Sequence, residues 1–122
     1  DMVAKIETVA QKHPGDLEID RALASGLNNA AAATEASFQD CKDMVVKIEE
    51  VAQRHPGDLE IDRQIAKGLN NAAAATDASF HDRKDMVAKI ETVAQRHPGD
   101  LEIDRALASG LYNTTVGNPS FH

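Results

Sequence analysis

Three histidines precede the same Pro-Gly-Asp sequence at intervals of 42 residues, at His13, His55 and His97. Histidine close to aspartate is a combination that could bind a metal ion. The spacing argues against such a site, because packed helices lie about 8 to 10 Å apart whereas a zinc–histidine bond is about 2 Å long. Histidines of adjacent units cannot easily share one ion. We therefore predict no metal and no cofactor, and interpret these residues as parts of helix ends.

Three arginines recur at the same interval, at Arg21, Arg63 and Arg105. A guanidinium group offers parallel donors that match a carboxylate, so this ladder could bind an acidic motif of a partner. The alternative is that each arginine pairs with an acid of its own unit or of the adjacent one. The residues by themselves leave both interpretations open.

Two adjacent pairs of asparagines, Asn28 with Asn29 and Asn70 with Asn71, lie inside predicted helices, where asparagine is a poor helix former. Their amides could hydrogen-bond the backbone of a bound peptide, or they could link neighbouring units. We expect one asparagine of each pair to make the link between units. The other could face either the protein or a ligand.

The charge and the cysteine content exclude several classes of function. With a formal net charge of -7 and no cluster of Lys or Arg, the chain lacks the basic face that binding to nucleic acid or to an anionic membrane requires. The single cysteine, Cys41, rules out an intramolecular disulfide and a zinc site built from cysteines. No catalytic motif is present, and an active site is normally one asymmetric group of residues, so we predict a protein that is not an enzyme. Without a signal peptide or a run of transmembrane length, we expect a cytoplasmic location.

The elements that must position these residues are marked by a segment that recurs almost unchanged at 11–21, 53–63 and 95–105. In each copy a histidine closes one helix, Pro and Gly cannot continue it, and Asp can cap the next. A repeat of this length is typical of an array whose units bury their apolar faces against their neighbours. We predict one array over 1–122, with the second helix of an incomplete unit at 1–13, hairpins at 17–55 and 59–97, and the first helix of a further unit at 101–122.

Two departures from ideal helix composition lead to structural predictions. Gly26 and Gly68 lie inside predicted helices, where glycine costs about 1 kcal/mol relative to alanine, so we expect a neighbouring helix to approach closely there. The last copy replaces an alanine run with weaker helix formers, including Thr114 and Val116, and Pro119 follows. We therefore predict that the final helix is shorter than its equivalents.

The hairpin has a Pro-containing turn at 13–16 and the small and apolar residues Leu23, Ala24 and Leu27 on its first helix. This combination resembles the tetratricopeptide repeat (TPR), and most of all its longer variants of about 42 residues. Asp20 stands where that family commonly has Trp, and Leu27 where it commonly has Tyr. The resemblance implies an all-α fold, a right-handed α-solenoid of antiparallel helical hairpins.

The resemblance also implies a function, because TPR arrays usually present the first helix of each unit on a concave face that binds a peptide. We therefore predict a non-catalytic protein–protein interaction scaffold with a protein or peptide partner. The alternative is a self-associating protein that stacks end to end into oligomers, because near-identical units without polar caps leave apolar helix faces open. The partner-binding positions implied on the concave face are Glu18, Arg21, Ser25, Asn28, Glu60, Arg63, Lys67, Asn70, Glu102, Arg105, Ser109 and Tyr112.

Overall fold

The computed structural model of the chain describes residues 2–32 and 36–117. All regular secondary structure in this part of the chain is α-helical, so the predicted all-α class is confirmed for it. The helices are α1 (Met2–Lys12), α2 (Leu17–Ala32), α3 (Phe38–Gln53), α4 (Leu59–Ala73), α5 (Phe80–Arg96) and α6 (Leu101–Gly117).

The His-Pro-Gly-Asp turns separate α1 from α2, α3 from α4 and α5 from α6. In the middle copy Gly57 has a φ of 79°, which a residue with a side chain rarely adopts. The Asp58 backbone N–H donates to the His55 carbonyl over 3.1 Å and closes the turn. The Asp58 side chain then accepts from the Ile61 N–H and caps α4. The predicted helix stop and helix start are therefore both present.

Helices α3 and α5 are capped by serine. Ser37 caps α3, its hydroxyl accepting from the Asp40 N–H at 3.1 Å. At Ser79 the capping box is complete, because the Asp82 carboxylate also accepts from the Ser79 backbone N–H. That bond lowers the pKa of Asp82 below its ordinary value. Serine and aspartate three residues apart thus define where the second helix of a hairpin begins.

Each helix packs against the next one along the chain, and α2 also packs on α4 and α4 on α6. The helices α2, α4 and α6 therefore lie side by side, and the other helices pack against them. The core contains few large side chains, and among those with almost no exposure are Leu27, Ile48, Ile61 and Ile90. None of the described helices has the length and apolar character that a membrane crossing requires.

The expectation of close helix contacts at Gly26 and Gly68 is confirmed. A Cβ atom added at Gly68 would lie 2.9 Å from both Val45 Cγ2 and Asn28 Oδ1, atoms of α3 and α2. A Cβ atom at Gly26 would lie 2.9 Å from Ile6 Cδ1, the far end of a flexible side chain in α1. Glycine thus lets α4 fit between two other helices, at the cost in helix propensity noted above.

The prediction of a shortened final helix is wrong. Helix α6 has 17 residues and reaches Gly117, whereas α4 has 15. The threonines of its last turns bond to the helix itself, Thr114 Oγ1 to the Gly110 carbonyl at 2.8 Å and Thr115 Oγ1 to the Tyr112 carbonyl at 2.7 Å. Residues with weak helix propensity are thus accommodated in a helix that has already begun.

Replacing Gly68 with alanine should destabilise the chain by about 1 to 3 kcal/mol, because the gain in helix propensity is smaller than the cost of overpacking against Val45 and the hydrogen-bonded Asn28. Gly26→Ala is the matched control. Its added methyl group meets only the mobile end of Ile6, so its stability should stay close to that of the wild type. Urea unfolding followed by circular dichroism measures both. Equal unfolding midpoints for the two variants would contradict the packing argument.

Candidate functional site

A polar groove of about 490 Å³ runs across the three side-by-side helices α2, α4 and α6. Six of the twelve predicted partner-binding residues line it, and the other six do not. The residues of this polar groove are Ser25, Asn28, Asn29, Ala32, Gln64, Lys67, Asn70, Asn71, Glu102, Arg105 and Ala106.

Helical periodicity explains why these residues share one face. In α2 the groove residues Ser25, Asn28, Asn29 and Ala32 follow at steps of three, one and three, which keeps them on one side of a helix with 3.6 residues per turn. In α4 the equivalent residues Lys67, Asn70 and Asn71 repeat the first three of these positions. Because α2 and α4 pack together, the two polar stripes form adjoining walls.

Asn28 forms the expected link between units. It is 6% exposed, and its Nδ2 donates to the Gln64 backbone carbonyl at 2.7 Å and to the Gln64 side-chain oxygen at 2.8 Å. Little of Asn28 is left for a partner, which makes its role largely structural. The adjacent Asn29 is exposed in the groove, so it is the member of the pair that a ligand could reach.

The groove has one cation with no ion pair among the described residues. Lys67 Nζ lies 3.5 Å from Glu102 Oε1, a long contact between side chains that are both about half exposed. Arg105 is exposed and makes no ion pair with the described part of the chain. Of the charged side chains in the groove, Arg105 is therefore the one most available to an acidic group.

Arg21 and Arg63, the other members of the arginine ladder, are already occupied. Arg21 binds Asp58 through two nitrogens, at 2.6 and 3.2 Å, and Arg63 Nη2 lies 2.7 Å from Asp100 Oδ1. The hydrogen bonds from Arg21 and Arg63 hold the pKa values of Asp58 and Asp100 below their ordinary values. For these two arginines, pairing with an acid of the adjacent unit is the interpretation that the structure supports.

The remaining predicted residues lie outside the groove lining. Glu18 is exposed on α2, and Glu60 contacts Arg63 at 2.6 Å on its own helix. Ser109 is half-buried and Tyr112 is 67% exposed, both on α6. The groove lining thus includes half of the repeat positions implied by the resemblance.

Gln64 lines the groove and was not among the predicted residues. It binds Asn28 across the contact between α2 and α4. A signal for it exists in the sequence, because the equivalent positions of the other copies are alanines, Ala22 and Ala106. A change from alanine to a long amide, one of three differences between 17–29 and 59–71, indicates a position with its own role.

The histidines of the two interior turns bind aspartates of their own hairpins. Asp20, at the start of α2, is 1% exposed, and its Oδ2 lies 2.7 Å from His55 Nε2 while its Oδ1 accepts from Arg54 Nη2 at 3.1 Å. A carboxylate only accepts, so the imidazole donates. Burial alone would raise the pKa of Asp20, but the bonds from Arg54 and His55 outweigh it and hold that pKa below 3.8.

The same arrangement occurs at Asp62, whose Oδ2 lies 2.7 Å from His97 Nε2 and whose Oδ1 lies 3.4 Å from Arg96 Nη2. His13, which belongs to the first turn, is exposed. Within the described ranges no three His, Cys, Asp or Glu side chains are grouped as metal ligands would be. The aspartates that contact the histidines are those of the first helix, whereas the cap aspartates Asp58 and Asp100 bind arginine.

Removing the His55 imidazole should destabilise the chain by about 2 kcal/mol, because it leaves the buried Asp20 carboxylate with one hydrogen-bonding partner fewer. His13→Ala is the matched control, since it changes the same repeat position where the side chain is exposed. Urea unfolding at neutral pH should separate the two variants. If His13→Ala lowered the stability as much as His55→Ala, the buried contact would not be the cause.

Asp58→Asn tests the pairing with Arg21. The depressed pKa of Asp58 means that its contribution to stability is present above pH 3.8 and is lost as the pH falls through the folded-state value. Asparagine keeps the cap but not the charge, so the variant should have a lower unfolding midpoint at pH 7 and a smaller decrease between pH 7 and pH 3. Asp16→Asn changes the equivalent cap, which has no arginine partner in the described chain, and should behave like the wild type. Identical pH profiles for the wild type and Asp58→Asn would count against the pairing.

In comparisons with known proteins, no family model matches the chain, and no curated protein or solved structure shows significant similarity to it.

Proposed function

We propose that the chain is a non-catalytic protein-interaction scaffold, a right-handed TPR-like helical array that binds an extended peptide segment of a protein partner in the polar groove. The observation that carries the proposal is the concentration of amide side chains from neighbouring helices in one groove. Asn29 and Asn71 are accessible there, and Gln64 adds a third amide. An amide offers both donors and acceptors, which suits the alternating N–H and C=O groups of a peptide backbone.

The charges of the groove favour a peptide with an acidic anchor. Among the described residues Arg105 has no ion-pair partner, and Lys67 has only the long contact to Glu102. A carboxylate from the partner can form a bidentate pair with Arg105 and can compete with Glu102 for Lys67. With a net charge of -7 for the chain, the attraction is local to the groove, and we propose neither nucleic acid nor a membrane surface as the partner.

The proposal assigns no reaction to the chain. The closest contact of a carboxylate with a histidine, at Asp20, is repeated at Asp62, which suits a structural role better than a single catalytic centre. Cys41 is buried, and burial raises the pKa of its thiol, which disfavours the nucleophilic thiolate.

Selection of a random-sequence peptide library on the folded chain, followed by fluorescence anisotropy of the selected peptides, tests the proposal. The double variant Lys67→Ala with Asn71→Ala should raise the Kd of the selected peptides at least tenfold, a loss of about 1.4 kcal/mol in binding free energy. Lys89→Ala, which removes an exposed lysine on α5 outside the groove, is the matched control and should bind like the wild type.

Circular dichroism confirms that each variant is folded. Selected peptides that bind the groove variant and the wild type equally well would overturn the proposal. A selection that enriches no peptide would do the same.

A further inference from the structure

The last described helix exposes a face that is buried in its repeats. Leu27 in α2 and Leu69 in α4 are each 2% exposed, whereas the equivalent Leu111 in α6 is 48% exposed. Asp62 is buried against the end of α5, whereas the equivalent Asp104 is exposed. In α2 and α4 the following helix covers this face, and no described helix follows α6. The face of α6 is therefore half of a hairpin contact that the chain makes twice elsewhere.

The first described helix has the sequence of the element that covers such a face. Residues 2–13 repeat residues 86–97 with a single change, Lys for Arg. The second of these segments belongs largely to α5, which packs against α4. In α5 Val93 is 3% exposed, whereas the equivalent Val9 in α1 is 46% exposed. Helix α1 thus has the sequence of a hairpin's second helix, while the face around Val9 is exposed.

Two clefts lead to the same conclusion. One, of about 480 Å³, lies between the first three helices, where α2 contributes Asp20 and α3 contributes Val51 and Arg54. The other is lined by residues at the equivalent repeat positions, among them Pro98 and Asp104, but no described helix forms the wall that α3 forms in the first cleft. Helix α1 has residues at the repeat positions with which α3 forms that wall, and two of them differ from those of α3. The α1 of a second copy could therefore form the wall.

The charges at the two ends are complementary. One end exposes Asp104 and Arg105, and the other exposes Lys12, His13 and Asp16. In the first interior hairpin Asp20, the equivalent of Asp104, binds Arg54 and His55 at the end of α3. Arg21, the equivalent of Arg105, binds Asp58, the cap aspartate of the next unit. Of the five exposed side chains at the two ends, none has an ion pair within the described chain.

We propose that a second copy of this chain docks its α1 on α6 of the first, so that copies stack end to end. Asp104 then binds His13 and Lys12 of the second copy, and Arg105 binds Asp16 of that copy. The interface joins two different surfaces and leaves one of each uncovered, so it continues beyond a dimer. The stacking does not depend on peptide binding in the groove, but the two share Arg105, which lines the groove and in a stack is engaged by Asp16 of the second copy.

Sedimentation velocity over a range of concentrations tests the stacking. The wild-type chain should show a mass that rises with concentration above the 13.1 kDa of the monomer. Val9→Asp and Leu111→Asp each place an acid on one end face and should each be monomeric alone. Mixed in equal amounts, they should form a dimer and nothing larger, because Val9→Asp keeps the α6 face and Leu111→Asp keeps the α1 face.

Val46→Asp is the matched control, since Val46 is a 51% exposed apolar residue of α3 away from both ends, and this variant should associate like the wild type. Circular dichroism confirms that the variants are folded. A wild-type chain that is monomeric at every concentration would overturn the proposal. So would a mixture of the two end variants that stays monomeric, or a Val46→Asp variant that is as monomeric as they are.

Discussion

The buried carboxylate of Asp20, repeated at Asp62, is the constraint on which the arrangement of the helices depends. A carboxylate removed from water must be paired, because an unpaired buried charge has a large cost in free energy. At Asp20 the partners are Arg54 and His55, at the end of the second helix of the hairpin. The pairing therefore holds the end of one helix against the start of the other. Apolar contacts between alanine-rich faces cannot fix that register so narrowly, because they have no direction.

The residue after each buried aspartate extends the constraint to the next unit. Arg21 binds Asp58, and Asp58 also caps α4, so one carboxylate determines both where α4 begins and how α4 lies beside α2. Adjacent side chains thus have separate tasks, one within the hairpin and one between units. The face that begins about one turn further along, with Ser25 and Asn29, takes no part in these ion pairs, which is why a groove there remains accessible.

Repetition gives the same residue different surroundings at different places in the chain. Leu69 is buried and Leu111 is half exposed although both occupy one repeat position, because no described helix follows α6 as α5 follows α4. The same holds for His55 and His13, where one binds a carboxylate and the other is exposed. The exposed faces of α1 and α6 are therefore counterparts of faces that are buried between described helices elsewhere in the chain.

The sequence by itself determined where a helix stops and the next one starts at the repeated turns, because Pro, Gly and capping residues act within one turn of the backbone. The turn around Gly57 and the cap at Asp58 were predicted in this way, and α3 ends and α4 begins beside them, whereas the length of α6 was predicted wrongly. These signals are local, so they do not require knowledge of the fold. The resemblance to TPR arrays named Ser25 and Lys67 among the partner-binding positions, and both line the groove.

Only the tertiary structure decided which side chains are partners. Asparagine chemistry predicted that one residue of the pair would link units, but the position of Gln64 decided that it is Asn28. The sequence left Arg21 open between an acidic ligand and a neighbouring acid, and the distance between α2 and the cap of α4 decided for Asp58. It gave His55 no assigned partner, although Asp20 lies within hydrogen-bonding distance. These outcomes depend on distances between helices that are far apart in the chain, which local propensities do not contain.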